Sequence, residues 1–268
     1  MLAEALRHYL LALQFFTRIP VTGALADWAG FTPHRLRAAA GHFPGVGWLV
    51  AIGACAAYAA SRWLWGSGPA VPLAAAVTCT IATALMTGAF HEDGLADVAD
   101  GLGGNASRER ALDIMKDSRI GAYGALALVL VIAAKISLLA VLGGGGTGPV
   151  LAALTGGHVF SRFLPLLLVR SMAHVGDTAR SKSKPLADRI SRDTLAIAAL
   201  WCLPVLAVLL ACQGFAFVAL GIVFAVAALW HLRRIFLRRL GGFTGDCLGA
   251  AQQVCEIAFY AGAAVALR

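Results

Sequence analysis

Four carboxylates and one histidine lie within ten residues of the stretch GAFHEDGLADVADGLGG, which directly follows a long apolar run. Asp93, Asp97 and Asp100 are spaced i, i+4 and i+7, so a helix that continues from the apolar run through Asp100 would place them on one face. Like charges at this spacing repel each other by roughly 0.2–0.5 kcal/mol per pair, and more where the dielectric constant is low. Because no Lys or Arg lies between Arg62 and Arg108, a bound cation is the natural compensation.

Hard carboxylate oxygens without a neighbouring cysteine favour Mg²⁺, with Mn²⁺ as an alternative, over zinc. We therefore predict these metal ligands: Glu92, Asp93, Asp97, Asp100 and Asp113. A lone imidazole beside four carboxylates is better suited to supporting the metal ligands or to contacting substrate, and His91 is predicted to bind substrate. A solvated acidic loop that forms salt bridges with its own arginines stays open as an alternative, although the helical spacing of the aspartates disfavours it.

A second acidic pair follows in SRERALDIMKDSRIG, where Ser107 can cap a helix and Asp113 and Asp117 are spaced i, i+4. The intervening GLGGN supplies flexible backbone that can approach a ligand closely. The sequence predicts that the aspartates of both helices converge, with Lys116 and Arg119 beside them. Carboxylates that hold a metal, together with cations and backbone N–H groups, are typical of phosphoryl transfer. Asp117 is the predicted general base, and Lys116 and Arg119 are the predicted catalytic cations.

Polar side chains inside apolar runs are costly and need a reason. His158 and Arg162, one helical turn apart, are predicted to bind substrate phosphate, and Lys135 could do the same. Glu256 could pair with one of these cations, and a purely structural pair inside the bundle is an equal alternative. Asp246, among the glycines of GGFTGDCLGA, is a further predicted substrate contact.

The composition indicates a polytopic membrane protein, with 59% apolar residues, 13% charged residues and a mean hydropathy of +0.77. No polar linker divides the chain, so we predict a single integral membrane domain over residues 1–268. Six cysteines without CxxC spacing are read as packing residues. Runs of about 20 apolar residues predict an all-α polytopic bundle of about seven transmembrane helices. The predicted spans are Pro44–Leu64, Ala70–Phe90, Ala122–Leu142, Pro149–Val169, two within Thr194–Trp230 that break at Cys212–Gly214, and Leu248–Leu267.

The N-terminal stretch MLAEALRHYLLALQFFTRIP lacks a signal-peptide cleavage site and is predicted to be an amphipathic helix on the membrane surface. With a cytoplasmic N-terminus, seventeen of the 22 Lys and Arg residues fall in cytoplasmic segments, as the positive-inside rule requires. This orientation places the acidic stretch at the cytoplasmic face. The same cations can contact anionic lipids, whereas short basic loops without groove-reading elements argue against nucleic acid as a partner.

The stretch HEDGLADVADGLGG, followed by ALDIMKDSRIGAYG, closely resembles the adenosylcobinamide-GDP ribazoletransferase family, the cobalamin (5′-phosphate) synthases. QFFTRIP, FPGVG and GGFTGDCLGAAQQVCE extend the resemblance from Phe15 to Glu256. It implies a Mg²⁺-dependent enzyme of the bacterial inner membrane. It also implies that the 3′-hydroxyl of α-ribazole, or of its 5′-phosphate, attacks the cobinamide phosphate of adenosylcobinamide-GDP, which releases GMP and forms cobalamin or its phosphate.

Asp97-x-x-Asp100-Gly101 and Asp113-x-x-x-Asp117 also resemble the two halves of the CDP-alcohol phosphotransferase motif. The A-R step and the Gly four residues before Asp113 are missing, and the gap between the halves is shorter. A membrane phosphotransferase of that type is therefore the first alternative function. A cation transporter is the second, although its carboxylates would lie near the bilayer midplane rather than at the end of a span. The form of ribazole, its lower base, the number of metal ions, the aspartate that acts as base, the oligomeric state and the position of the corrinoid stay open.

Overall fold

The structure, a computed structural model, describes residues 2–176 and 190–268. These residues form helices, and their only β-structure is an isolated parallel bridge between His174 and Phe243, which confirms the all-α prediction. The predicted basic loop lies largely outside the described residues; the residues concerned are Arg180, Lys182, Lys184 and Arg189.

The helices of the first half are α1 (Leu2–Phe16), α2 (Ala24–Ala29), α3 (Pro33–Ala39), α4 (Phe43–Trp65), α5 (Val71–Thr87) and α6 (Phe90–Gly103). Those that follow are α7 (Arg108–Ile114), α8 (Ala122–Gly144), α9 (Thr147–Ser171), α10 (Arg192–Leu240) and α11 (Gly245–Ala266). Helix α11 packs against α6, α8, α9 and α10, and α4 packs against α5 and α9. The C-terminal helix therefore lies at the centre of the bundle.

Four helices among the described residues are long and apolar enough to cross a membrane, or five if α5 and α6 form one bent span. Gly214 has non-helical angles (φ 81°, ψ 176°) inside α10 and divides it into two stretches, which confirms the break predicted at Cys212–Gly214. Helix α11 has 22 residues, enough to span, but carries Gln252, Gln253 and Glu256. The long apolar helices support a membrane protein, while the count of seven spans and their sidedness stay predictions.

Helix α6 does not continue α5, contrary to the predicted helix through Asp100. Gly88 ends α5 in the left-handed region (φ 65°), Ala89 follows with φ 56°, and the chain turns by 91°. The prediction was wrong because two consecutive left-handed residues terminate a helix. Asp93, Asp97 and Asp100, called here the acidic stripe, still share one face of α6 because the break precedes Asp93. We predict that α6, which carries Glu92 and three aspartates, lies outside the transmembrane spans.

Helix α1 forms where an amphipathic helix was predicted, and its second half is buried against the bundle. Leu10, Leu11, Leu13 and Phe16 are buried, whereas Leu2 is 87% exposed. The buried face contacts α3 and α4. Part of the apolar face therefore covers protein, and contact of the remainder with a membrane surface stays a prediction.

Candidate active site

Helices α6 and α11 cross with almost no space between their backbones. A β-carbon at Gly94 would lie 2.9 Å from the carbonyl oxygen of Asp246, and one at Gly249 would lie 3.2 Å from that of His91. Only residues without a side chain allow two backbones to approach this closely. The crossing therefore brings Asp246 to the acidic stripe of α6.

Four carboxylates gather at this crossing, with Asp97 at their centre. Burial, together with the negative charges of Asp246, Asp93 and Asp100, raises the pKa of Asp97 to about 7. Burial also raises the pKa of Asp246, against the opposing effect of a hydrogen bond that Thr244 Oγ1 donates to Asp246 Oδ2 over 3.2 Å. Within residues 2–176 and 190–268, no Lys or Arg forms an ion pair with Asp93, Asp97 or Asp246. The cluster thus carries negative charge without a cationic partner from the described chain.

Asp100 also caps the N-terminus of α8. The backbone N–H of Gly121 donates to Asp100 Oδ2 over 2.7 Å, and that of Gly124 donates to Asp100 Oδ1 over 2.8 Å. A carboxylate is favourable here because the N-terminus of a helix carries partial positive charge. Asp100 therefore joins α6 to α8, and metal binding would have to use its remaining lone pairs.

Asp93 and Asp246 line a cleft of about 290 Å³ at the crossing. Glu92 precedes Asp93, and its Oε2 is buried with no hydrogen-bond partner among the described residues. The charge of Glu92 acts on Arg162 and is not among those that act on Asp97. The uncompensated carboxylates of Asp93, Asp97 and Asp246 are what fits a divalent cation with oxygen ligands. As the described side chains stand, no three His, Cys, Asp or Glu residues are grouped closely enough to hold one ion. A site with three protein ligands at this cluster would therefore require side-chain rotation.

Helix α7 packs on α6 at Gly101, where a β-carbon would lie 2.8 Å from Met115 Cγ and 3.0 Å from the carbonyl oxygen of Ala111. Ser107 caps α7 as predicted, because its Oγ accepts a hydrogen bond from the backbone N–H of Arg110 over 3.3 Å. Asp113 lies on this helix, but it is not among the carboxylates whose charges act on Asp97.

Asp117 forms an exposed, bidentate ion pair with Arg119 and lies outside the carboxylate cluster. Arg119 Nε donates to Asp117 Oδ1 over 2.9 Å and Arg119 Nη2 donates to Oδ2 over 2.6 Å. These bonds lower the pKa of Asp117 to about 2. The predicted convergence of both acidic helices is thus wrong for the second one: α7 ends at Ile114, before Asp117, and neither Asp113 nor Asp117 is among the carboxylates that act on Asp97. The structure instead brings together the aspartates of α6 and Asp246, which came from a weak signal in the sequence.

Arg239, a residue that sequence reasoning did not single out, holds the C-terminal end of α6. Its Nη1 donates to the carbonyl oxygen of Leu102 over 3.2 Å and its Nη2 donates to that of Gly104 over 2.8 Å. These bonds satisfy carbonyls that a helix end leaves unpaired. In the sequence Arg239 is one of several arginines in a basic run, and nothing there sets it apart.

The loop that leads to Asp246 is fixed by backbone pairing with the end of α9. The N–H of Phe243 donates to the carbonyl oxygen of Ala173 over 3.0 Å, and the N–H of Val175 donates to that of Phe243 over 2.9 Å. Thr244 then caps α11, accepting a hydrogen bond from the N–H of Cys247 over 3.3 Å. These contacts fix where the first turn of α11 begins.

Deeper in the bundle, Glu256 is the centre of a buried polar network. Lys135 Nζ lies 2.6 Å from Glu256 Oε1, and His158 Nδ1 lies 3.3 Å from Oε2. Gln252 Nε2 and Tyr260 Oη donate to the same carboxylate over 2.7 and 3.0 Å. The predicted pairing of Glu256 with a buried cation is confirmed, and the network joins α8, α9 and α11.

Arg162 lies between this network and the acidic crossing. Its Nη1 donates to the carbonyl oxygen of His158 over 2.9 Å, and its guanidinium carbon lies 5.7 Å from the Phe43 ring centroid. The Phe43 ring also stacks on His91, with centroids 5.7 Å apart and planes inclined by 15°. His158 and Arg162 are 1% and 2% exposed, so in this conformation neither is open to a ligand. Their contacts to substrate stay predictions.

The chain matches a family model described as cobalamin-5-phosphate synthase over residues 8–264. An adenosylcobinamide-GDP ribazoletransferase of Polaromonas sp. is 54% identical, with 99% of each chain covered. An enzyme of the same name from Albidiferax ferrireducens is 52% identical, with 99% of this chain and 100% of that enzyme covered. One from Vibrio cholerae is 39% identical, with 94% of this chain and 91% of that enzyme covered. No solved structure matches the chain.

Proposed function

The chain belongs to the cobalamin-5-phosphate synthase family, and we propose that it transfers cobinamide phosphate from adenosylcobinamide-GDP to α-ribazole or its 5′-phosphate. The acceptor hydroxyl oxygen attacks the phosphorus atom that carries cobinamide, and the phosphoanhydride bond to GMP breaks. GMP leaves with the bridging oxygen and its electron pair, and the hydroxyl proton passes to a base. The product is adenosylcobalamin or its 5′-phosphate.

The uncompensated carboxylates at the crossing of α6 and α11 are the observation that supports this site. A diphosphate is itself anionic, so these carboxylates would repel it unless a cation lay between them. We propose that Asp93 and Asp97 hold Mg²⁺, or Mn²⁺, with Glu92 in support. The bound ion would neutralise charge on the phosphates and on departing GMP. Asp100 and Asp113 remain the further predicted ligands, Asp100 with the added task of capping α8.

Two carboxylates are candidates for the general base. A base works best when its pKa lies near the operating pH, and the ion pair with Arg119 holds the pKa of Asp117 at about 2. Asp246 lines the cleft, and burial raises its pKa. We therefore favour Asp246, whose Oδ2 is oriented by Thr244, as the group that accepts the ribazole proton. Asp117 is retained as the alternative.

Cations are needed for the oxygens of the transferred phosphate, since charge-assisted hydrogen bonds stabilise that charge. We propose Lys116 and Arg119 for this task, with Arg119 exchanging the carboxylate of Asp117 for phosphate. Arg162 and His158 would act from the buried side of the site. In the proposed orientation all of these groups lie around a cleft at the cytoplasmic face of the inner membrane. Basic loops on the same side would contact anionic lipids.

The test is an assay of purified, detergent-solubilised protein with adenosylcobinamide-GDP, α-ribazole and Mg²⁺. We expect equal amounts of GMP and adenosylcobalamin, and no GMP when α-ribazole is omitted. Asp93→Asn, prepared in parallel, controls for contaminating phosphatases. Well-folded protein that releases no GMP from this donor, or that transfers only from a CDP-alcohol, would contradict the proposal.

A further inference from the structure

An aromatic pocket lies beside the acidic cleft. Its walls include Phe15, Phe16, Phe43 and Phe90, and its volume is about 50 Å³. Phe15 and Phe90 also line the cleft that contains Asp93 and Asp246, as do two glycines of α11. The pocket and the cleft are therefore neighbouring compartments of one site.

A single hydrogen-bonding side chain lines this pocket. Of the described residues around it, His91 alone has a polar side chain. His91 is 2% exposed, and its Nε2 is buried with no hydrogen-bond partner among the residues that the structure describes. Stacking on Phe43 fixes the plane of the imidazole ring. A buried polar atom without a partner is destabilising, and a ligand with one matching polar atom would remove that penalty.

We infer that this pocket binds the benzimidazole base of the acceptor, with His91 Nε2 hydrogen-bonded to its free ring nitrogen. The inference rests on the proposed function, which supplies two aromatic bases, the benzimidazole of ribazole and the guanine of the donor. A benzimidazole riboside has one free ring nitrogen and an otherwise apolar edge. Guanine has several donors and acceptors, most of which this pocket would leave unpaired, and each unpaired group weakens binding.

The position of the pocket gives the acceptor a productive orientation. A bicyclic base is larger than the pocket as it stands, so the base must displace side chains at the boundary with the cleft. Phe90, which is 42% exposed, lies at that boundary. A base held there would leave its ribose at the shared wall of Gly245 and Gly249, next to Asp246. That is where the proposed general base can reach a ribose hydroxyl.

The test compares two acceptors, α-ribazole and an analogue with a 5,6-dimethylindole base, in which C–H replaces the free ring nitrogen. Affinity is measured by equilibrium dialysis without donor or metal, and KM in the complete assay. We expect wild type to bind α-ribazole about tenfold more tightly than the analogue. His91→Phe keeps an aromatic ring beside Phe43 but removes the hydrogen bond, so it should bind both ligands equally. His91→Gln keeps a donor and should retain part of the preference.

The ratio of the two affinities separates recognition from structural damage. If His91→Phe weakens both ligands by the same factor, or if wild type does not distinguish them, the inference is overturned. Ala40→Leu, which fills the pocket, should raise KM for α-ribazole and not for adenosylcobinamide-GDP; the opposite result would assign the pocket to guanine. Wild type that prefers α-ribazole in dialysis but releases no GMP would overturn the proposed function and leave this inference standing.

Discussion

Gly94 on α6 and Asp246 on α11 are held so close that a β-carbon at residue 94 would lie 2.9 Å from the carbonyl oxygen of Asp246. We expect Gly94→Ala to push the two helices apart and to lower turnover about 100-fold, because catalytic groups tolerate little displacement. Gly104→Ala is the matched control, since a β-carbon there comes no nearer than 4.0 Å to a neighbouring atom. Wild-type turnover in Gly94→Ala would show that the crossing does not position the site.

Asp97→Asn should stabilise the metal-free protein. The pKa of Asp97 is about 7 in the fold, against an ordinary value of 3.8, so the folded state favours the protonated form and the ionised form destabilises it. We expect the variant to gain about 1 kcal/mol at pH values above about 7, because it removes a charge that burial and the neighbouring carboxylates disfavour, and partial exposure screens most of that penalty. The gain should vanish below about pH 4, where the carboxyl group is protonated in both states.

Thermal midpoints in EDTA across this pH range measure the effect of Asp97→Asn. Added Mg²⁺ should raise the midpoint of wild type and have little effect on the variant. If the variant were no more stable than wild type in EDTA at high pH, burial and the neighbouring carboxylates would not disfavour the ionised form of Asp97 as described.

Asp246→Asn should lower kcat by about 10²–10⁴-fold, the usual contribution of a general base, while the Mg²⁺ concentration for half-maximal rate stays near that of wild type. Asp117→Asn should lower kcat by less than about tenfold, because Asp117 is engaged with Arg119 outside the cluster. Steady-state rates over a Mg²⁺ titration measure both variants. The reverse order of losses would make Asp117 the base, as the sequence alone predicted.

Lys135→Met should destabilise the fold by about 3–5 kcal/mol, because it leaves Glu256 buried without its closest cation. The double variant Lys135→Met/Glu256→Gln removes both charges and keeps hydrogen-bonding atoms for Gln252 and Tyr260, so it should recover most of the loss. Denaturant titration of the purified protein measures this difference. A double variant as unstable as Lys135→Met would mean that the buried pair is not the source of the stability.

The acidic stripe of α6 could be predicted from the sequence because helical spacing is a local property. Asp93, Asp97 and Asp100 share a face whichever way the helix leaves the bundle. The 91° turn before them could not be predicted, since left-handed Ala89 depends on its surroundings. Those surroundings include a hydrogen bond just before the turn, which the N–H of Arg18 donates to the carbonyl oxygen of Met86 over 2.7 Å.

The other partners of the stripe come from distant parts of the chain. Asp246 reaches Asp97 only because glycines allow α11 to cross α6, and Asp100 caps α8 only because α8 begins at the same end of the bundle. Arg239 likewise finds α6 through the packing of α10. Such relationships depend on tertiary structure, whereas the buried pair of Lys135 and Glu256 could be anticipated because isolated charges in apolar helices need partners.

The rate of GMP release at limiting Mg²⁺ tests the proposed metal site most directly, in wild type, Asp93→Asn and Asp97→Asn. Folding of each variant is verified by its thermal midpoint, and Asp117→Asn serves as a carboxylate control outside the cluster. We expect wild type to reach a plateau with added Mg²⁺, and both cluster variants to lose nearly all activity that further Mg²⁺ does not restore. Wild-type rates in Asp93→Asn and Asp97→Asn at limiting Mg²⁺ would contradict a metal site at the crossing of α6 and α11.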